Sequence, residues 1–424
     1  MTTTTGAKPH PIFLAGTWVE SDDPLIVANP ADPANPAGAT FHATEAQYEE
    51  AVEAAVKAFE VTRTLPAYER GAILRNISSG IRARREEIGR LLSLEAGKPI
   101  RDALVEVDRA VVTFRLGAEE AERMVGETIP LDISVAGKGR MGITRRFPIG
   151  PIAGISPFNF PLNLAAHKVA PAIATGNPIV LKPPSKDPLT MLTVAEIIEE
   201  AGAPAGSVSI LPMSRELGDR MVSDDRFKLL TFTGSPSVGW RMKERAGKKK
   251  VVLELGGNAG VIIDKTADLD WAVKRCLVGA FAYAGQVCIS VQRMFVHEDV
   301  WDAFMPRFVE GARALKVGDP LTIVAGVLRE PLPVSLPPLP ARASESMRRV
   351  SEGFRLLLSV EGAESAPFSR RFAAKWCGPG LGEMRAGRAI DRLRAADVLR
   401  VDRWEPLYGR ANRTPFFKLG EGAR

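Results

Sequence analysis

At 424 residues, 45% hydrophobic and 25% charged, the chain can fill two or three domains with substantial cores. No apolar run approaches the roughly 18 residues of a membrane span, the start Met1-Thr2-Thr3-Thr4-Thr5-Gly6-Ala7-Lys8 lacks a signal pattern, and three cysteines make no disulfide framework. A reducing, cytoplasmic setting is therefore expected, with no membrane partner. The net charge of +6 raises the question of nucleic acid, but residues 1–320 are balanced at 38 basic against 39 acidic, and the excess lies in 321–424, at 18 against 11. The arginines there are scattered and have few aromatics beside them, so no nucleic-acid partner is expected.

In chain order, residues 11–19 and 25–27 predict short strands, and 31–38, rich in Pro, Asn and Asp, predicts a loop. Thr44 is a candidate N-cap for a helix with Ala51, Val52, Ala55, Val56 and Phe59 on one face. Further amphipathic stretches cover 72–96 and 100–124, the first ended by Gly97 and Pro99. Between 126 and 148 the pattern alternates, with Ile133, Val135, Met141 and Ile143 around Gly137-Lys138-Gly139, which predicts a β-hairpin. From 152 onward, apolar strands (152–155, 178–181, 208–211, 229–233) are interspersed with helices (162–174, 190–201 and one from about Ser237). That order predicts βαβ units, a parallel sheet and a doubly wound nucleotide-binding architecture.

Five places in this frame carry chemistry. Phe232-Thr233-Gly234-Ser235-Pro236-Ser237-Val238-Gly239 closes a strand and opens a helix, so free N–H groups could face a phosphate; a plain tight turn fits as well. Lys182 follows a strand, where ligand crevices form, although solvated loop lysines are common at such places. Asn159, between Pro157 and Pro161, is a rigid amide suited to an oxyanion or simply to bonding its own turn. Glu254 sits in the apolar run Val251-Val252-Leu253-Glu254-Leu255, which reads as a buried strand, with a solvent-facing glutamate as the alternative. Cys288, in Gly285-Gln286-Val287-Cys288-Ile289-Ser290, is either a nucleophile or an inert core thiol.

Order, spacing and wording together resemble the aldehyde dehydrogenase superfamily over about 11–320. The motifs are Glu95-Ala96-Gly97-Lys98-Pro99, Pro157-Phe158-Asn159-Phe160-Pro161, Phe232-Thr233-Gly234-Ser235, Leu253-Glu254-Leu255-Gly256-Gly257 and Gly285-Gln286-Val287-Cys288. The resemblance implies an α/β fold with a doubly wound Rossmann-type NAD(P)-binding domain (1–125 and 149–255) and a β-hairpin oligomerisation arm (126–148). It also implies the start of an α/β catalytic domain (256–320). Cys288 would attack a small aldehyde, Asn159 would hold the oxyanion, and Glu254 would activate water for thioester hydrolysis, with no metal. This glutamate favours a carboxylic acid product over acyl transfer to coenzyme A.

The resemblance further assigns cofactor contacts to Ile155, Ser156, Pro157, Phe158, Lys182, Pro184, Ser185, Phe232, Thr233, Gly234, Ser235, Val238, Leu255 and Gly256. Ser185 stands where NAD-selective relatives often carry a glutamate, so NAD or NADP is expected, with NADP tolerated or preferred. The four histidines show no metal-ligand spacing, and no arginine cluster near Phe160, Asn163 and His167 names the substrate. Residues 321–424 depart from the family. Their basic residues are 16 Arg and 2 Lys, against 23 and 15 before, and 331–340 is proline-rich. A frameshift near Pro320 would account for this composition. It would leave an incomplete catalytic domain, a weakened homo-oligomer and a catalytically impaired remnant as the alternative to an active enzyme.

Overall fold

The computed structural model describes residues 8–322 and three later strands, which divide into two units. The first holds residues 8–258, 286–289 and 318–322; the second holds 259–285, 290–317 and the later strands.

In the first unit, β1 (Ile12–Leu14) and β2 (Thr17–Val19) pair antiparallel around Ala15 and Gly16, which take φ of 53° and 95°. β3 (Pro24–Val27) pairs antiparallel with β4 (Gly38–Phe41). Helix α1 (Glu45–Thr62) starts with a capping box: Thr44 Oγ1 accepts from Gln47 N, and Gln47 Oε1 accepts from Thr44 N. The single amphipathic stretch expected over 72–96 is two helices, α2 (Ala67–Ala83) and α3 (Arg85–Ala96). They break at Arg84, whose guanidinium is held by Glu87 and Glu196. Gly97, at φ 62°, stops α3 in the left-handed conformation that glycine tolerates best, and α4 (Ile100–Arg123) follows.

The expected hairpin exists with a different register. β5 (Thr128–Pro130) pairs antiparallel with β6 (Met141–Ile143), so Ile133 and Val135 lie in the connection and not on a strand. Pro130 has no N–H with which to extend the ladder. The apolar side chains of this arm point to solvent, Val135 at 93%.

The chain then alternates: β7 (Ile152–Ile155), α5 (Asn163–Ala174), β8 (Ile179–Lys182), α6 (Leu189–Glu200), β9 (Val208–Ile210), α7 (Arg215–Ser223), β10 (Leu229–Thr233), α8 (Pro236–Arg245) and β11 (Lys250–Glu254). The sheet order is β11-β10-β7-β8-β9-β1-β2, parallel from β11 to β9. Alternate residues face opposite layers. Ile152, Ile179 and Leu181 join α2, α4, α5 and α6, whereas Ala153, Ile155 and Val180 join α1, α7 and α8. Helices on both faces explain why β7 and β9 are buried at every position, without alternation. The fold is the expected doubly wound α/β sheet.

In the second unit, β12 (Ala259–Ile263) and β13 (Val291–Val296) pair in parallel and flank α9 (Leu269–Phe281) in sequence. α10 (Glu298–Arg313) follows, and Ile263, Ala272, Val273, Cys276 and Phe304 form the core. β14 (Ser365–Pro367), β15 (Leu399–Pro406) and β16 (Arg413–Leu419) make an antiparallel sheet with β16 in the middle. The proline-rich run 331–340, Cys377 and residues 1–7 lie outside the described residues.

Candidate active site

Strand order reverses between β7 and β10, because the chain proceeds from β7 to β8 and β9 on one side and resumes at β10 and β11 on the other. Loops at the C-terminal ends of such strands bound a crevice. Asn159 lies in the loop after β7, and its Nδ2 donates to the carbonyl of Gln286 at 2.7 Å. That bond ties the amide to the segment carrying Cys288. One amide N–H is thereby used, and the side chain carries two.

Cys288 is exposed, in contrast to Cys276, whose thiol is buried in α9 and pushed up in pKa by that burial. A nucleophile needs this access; an inert core thiol would not show it. The backbone leading to Cys288 is left-handed at three successive residues, Tyr283 (φ 50°), Ala284 (φ 54°) and Gly285 (φ 74°). Two of the three are not glycine and cost about 1–2 kcal/mol each. A Cβ on Gly257 would fall 2.5 Å from the Cys288 carbonyl oxygen, so the turn after β11 and the cysteine segment meet at a place where only glycine fits.

Glu254 corrects an expectation. It is exposed, because β11 is the sheet's edge strand and follows an exposed and half-buried alternation. The apolar run around it packs inward through Val251, Leu253 and Leu255, leaving the carboxylate outward. Its backbone carbonyl accepts the N–H of Gly234 at 3.0 Å. This bond also corrects the phosphate loop, since the Gly234 N–H is taken. Pro236 at the first position of α8 has none to give, so the open donors there belong to Ser235, Ser237 and Val238.

The other cofactor candidates line the same strand ends. Ile155 and Ser156 are buried at the end of β7, with Ser156 N donating to Lys182 O at 3.1 Å, and Pro157 and Phe158 follow, Phe158 exposed beneath Lys186. Lys182 ends β8 half-buried, and its pKa is lowered to about 8 by burial and by the nearby positive Arg215. A Cβ on Gly218 of α7 would fall 2.6 Å from Lys182 Cδ, so that glycine makes room for the lysine. Pro184 and Ser185 follow on the loop to α6. Phe232 is buried and Thr233 half-buried at the end of β10, Val238 packs on the second core layer, and Leu255 and Gly256 continue past β11. Lys182 with the positive Arg215 near it fits an anionic group such as a nucleotide phosphate.

The family model described as aldehyde dehydrogenase family matches residues 18–327. The chain belongs to the aldehyde dehydrogenase family. It is 38% identical over 322 residues to the 3-sulfolactaldehyde dehydrogenase of Priestia aryabhattai, covering 76% of this chain and 67% of that one. It is 42% identical over 322 residues to the lactaldehyde dehydrogenase of Methanocaldococcus jannaschii, covering 73% and 66%. Among solved structures, aldehyde dehydrogenase 21 of Physcomitrella patens, in complex with the reaction product succinate, matches at TM-score 0.72 and 44% identity over 82% of this chain and 71% of that one. Glyceraldehyde-3-phosphate dehydrogenase of Methanocaldococcus jannaschii, complexed with NADP, matches at 0.68 and 42% over 72% and 66%. The chain thus spans about two thirds of the length of these curated relatives. NAD(P) is the cofactor of this family.

Sequence patterns did not single out Lys168. It is a buried lysine on α5, donating to Thr233 Oγ1 at 2.8 Å and Thr231 Oγ1 at 3.2 Å. Burial lowers its pKa to about 8, and the charge of Glu254 pulls the other way, which places amine and carboxylate within electrostatic reach. Arg109 on α4 is a second omission. Its guanidinium lies 5.9 Å from the Phe160 ring centroid, and its charge, after burial, lowers the pKa of His167.

Proposed function

We propose that this member of the aldehyde dehydrogenase family oxidises a small aldehyde to a carboxylic acid with NAD(P)+. The observation that carries the proposal is the meeting of three segments in one unit: the Asn159 amide on the Cys288 segment, and the Gly257 turn behind Glu254 against the Cys288 carbonyl. The Cys288 thiolate adds to the aldehyde carbon, forming a C–S bond, and the resulting oxyanion takes hydrogen bonds from the Asn159 side chain and the Cys288 N–H. NAD(P)+, held at the strand ends that carry Ser156, Lys182 and Ser235, would supply the hydride acceptor for oxidation of this adduct to a thioester. Glu254, open to solvent, removes a proton from water; the hydroxide cleaves the C–S bond, releasing the acid and the Cys288 thiolate.

Lys182 and Arg215 support NADP use at least comparable to NAD, as does Ser185, which lacks the carboxylate that would repel a 2′-phosphate. The positive charge of Arg109 beside Phe160 suits an anionic aldehyde, a class to which the sulfolactaldehyde of the Priestia relative belongs. The exposed apolar arm of β5 and β6 suits burial against a second copy.

A second interpretation, an impaired remnant that only binds nucleotide, draws on the family match ending at residue 327 while the chain runs to 424. It also draws on apolar side chains left in solvent, Ile262 at 81% and Ile289 at 78%. Aldehyde-dependent NADPH and NADH formation by the full chain, beside its Cys288→Ala variant, separates the two. Turnover lost in the variant by a factor of about 10³ or more is expected; nucleotide binding without turnover establishes the remnant, and a large preference for NAD removes the NADP assignment.

A further inference from the structure

Lys98 and Glu106, eight residues apart, form a wholly buried ion pair. Gly97 and Pro99 bend the chain between α3 and α4 around Lys98, and Ser93 Oγ donates to the Lys98 carbonyl at 2.6 Å, fixing its backbone. Its ammonium pairs with Glu106 Oε2, donates to the backbone carbonyl of Asn159 at 2.8 Å, and sits 3.9 Å from the Phe160 ring centroid. The other oxygen of Glu106 accepts the N–H groups of Leu162 and Asn163, at 3.1 and 3.0 Å. Helix α5 has no side-chain cap at its own N-terminus, so Glu106, reaching from α4, supplies one. Two buried side chains thus grip the five residues from Asn159 to Asn163 at both ends.

Buried ion pairs seldom stabilise a fold beyond what packed apolar residues would achieve. This pair instead converges on the loop from which the Asn159 side chain reaches the cysteine segment. We infer that Lys98, anchored by Glu106, is a positioning residue that fixes the backbone of Asn159 and so aims its amide at the reacting carbonyl oxygen. The inference rests on the proposed role of Asn159 as oxyanion donor. The ammonium holds the carbonyl on one side of the residue while the amide projects to Gln286 on the other, so loss of the grip lets the amide drift. Displacements of about 1 Å at such groups can cost on the order of 10² in rate.

The test uses the full chain carrying Lys98→Met with Glu106→Gln, which removes both charges together and leaves a glutamine oxygen to cap α5. Thermal unfolding and NADP affinity are measured beside kcat and KM, alone and combined with Asn159→Ala. The expected result is a cooperative fold, NADP affinity within about threefold, KM within about threefold, and kcat lower by roughly 30- to 100-fold. Added to Asn159→Ala, the pair of substitutions causes no further loss, because both act through one amide. A kcat within threefold of the parent, or a loss that multiplies with that of Asn159→Ala, overturns the inference. Should Asn159→Ala prove as active as the parent, or the parent inactive, the proposed role of Asn159 falls on its own. Hydrogen exchange across residues 157–163 then decides about the grip: about tenfold faster exchange in the double variant supports it, and unchanged exchange overturns it. If the double variant does not fold, Lys98→Arg, which keeps a cation against Glu106 but moves the donor from the Asn159 carbonyl, is subjected to the same measurements, with the same kcat loss expected and a kcat within threefold of the parent overturning the inference.

Discussion

Glu254 ends an edge strand in solvent, whereas Glu95, Glu106 and Asp187 are each about 1% exposed beneath α3, α4 and α6. All four are carboxylates in one unit, yet their surroundings differ in kind. Each buried oxygen of Glu106 and Glu95 is spent: Glu95 accepts from Leu189 N and Thr190 N, and Glu106 from Lys98 and two further amides. Asp187 has an oxygen without a partner and keeps its proton far more readily than a solvated aspartate, owing to burial and then to Glu95 and Glu106. Burial and full bonding make a carboxylate a strut, unable to exchange protons with a substrate water. Exposure at a strand end leaves it free to do so.

The sharpest way to break this contrast is to remove one member of the buried pair. Glu106→Ala takes from Lys98 its ion-pair partner and from two backbone N–H groups their acceptor, and the expected loss is about 3–5 kcal/mol in denaturant unfolding. A loss below about 1 kcal/mol would mean that Glu106 is no strut. The counterpart in the exposed group is Glu254→Gln. Its stability should change by less than about 0.5 kcal/mol, as for other exposed sites, while steady-state turnover falls by about 10²-fold or more. An initial burst of NAD(P)H that survives the substitution would place the loss in hydrolysis; a burst abolished with it would move Glu254 to the earlier step.

The smallest effect is a slope in pH. Burial, opposed by the bonds from Leu189 and Thr190, raises the Glu95 pKa from 4.5 to about 7. The folded state therefore binds this proton more tightly than the unfolded chain, and stability falls as pH rises from about 4.5 to 7, then levels off. Between pH 5 and 7 the contribution is roughly 2 kcal/mol. Glu95→Gln should flatten that part of the profile in urea titrations across pH, and an unchanged slope would assign the effect elsewhere. Glu254→Gln, by contrast, should leave the slope alone.

Much of the architecture was readable because it depends on local pattern. The run of βαβ units from 152 to 254, the capping box at Thr44 and the αL glycine after α3 are all written in neighbouring residues. The amphipathic stretch 72–96 misled because apolar spacing carries across Arg84, where long-range contacts to Glu196 help break the helix. The hairpin register slipped for a similar reason: Ile133 and Val135 alternate like strand residues, yet Pro130 ends the ladder before them. At the site, Cys288, Asn159 and Glu254 stood out by their wording, whereas Lys168 and Arg109 looked like ordinary helix charges.

The sequence by itself determined the family, the doubly wound order of elements and the choice of Cys288 as candidate nucleophile, since these follow from short motifs and their spacing. Only the tertiary structure decided what surrounds each charge. Glu254 became accessible because its strand lies at the sheet edge, a fact of strand order that no local run expresses. Lys98 became a buried support because it meets Asn159 across 61 residues, and Glu106 because it meets Leu162 across 56. Electrostatic environment is set by whatever packs within a few ångströms, and in this fold those neighbours are distant in the chain.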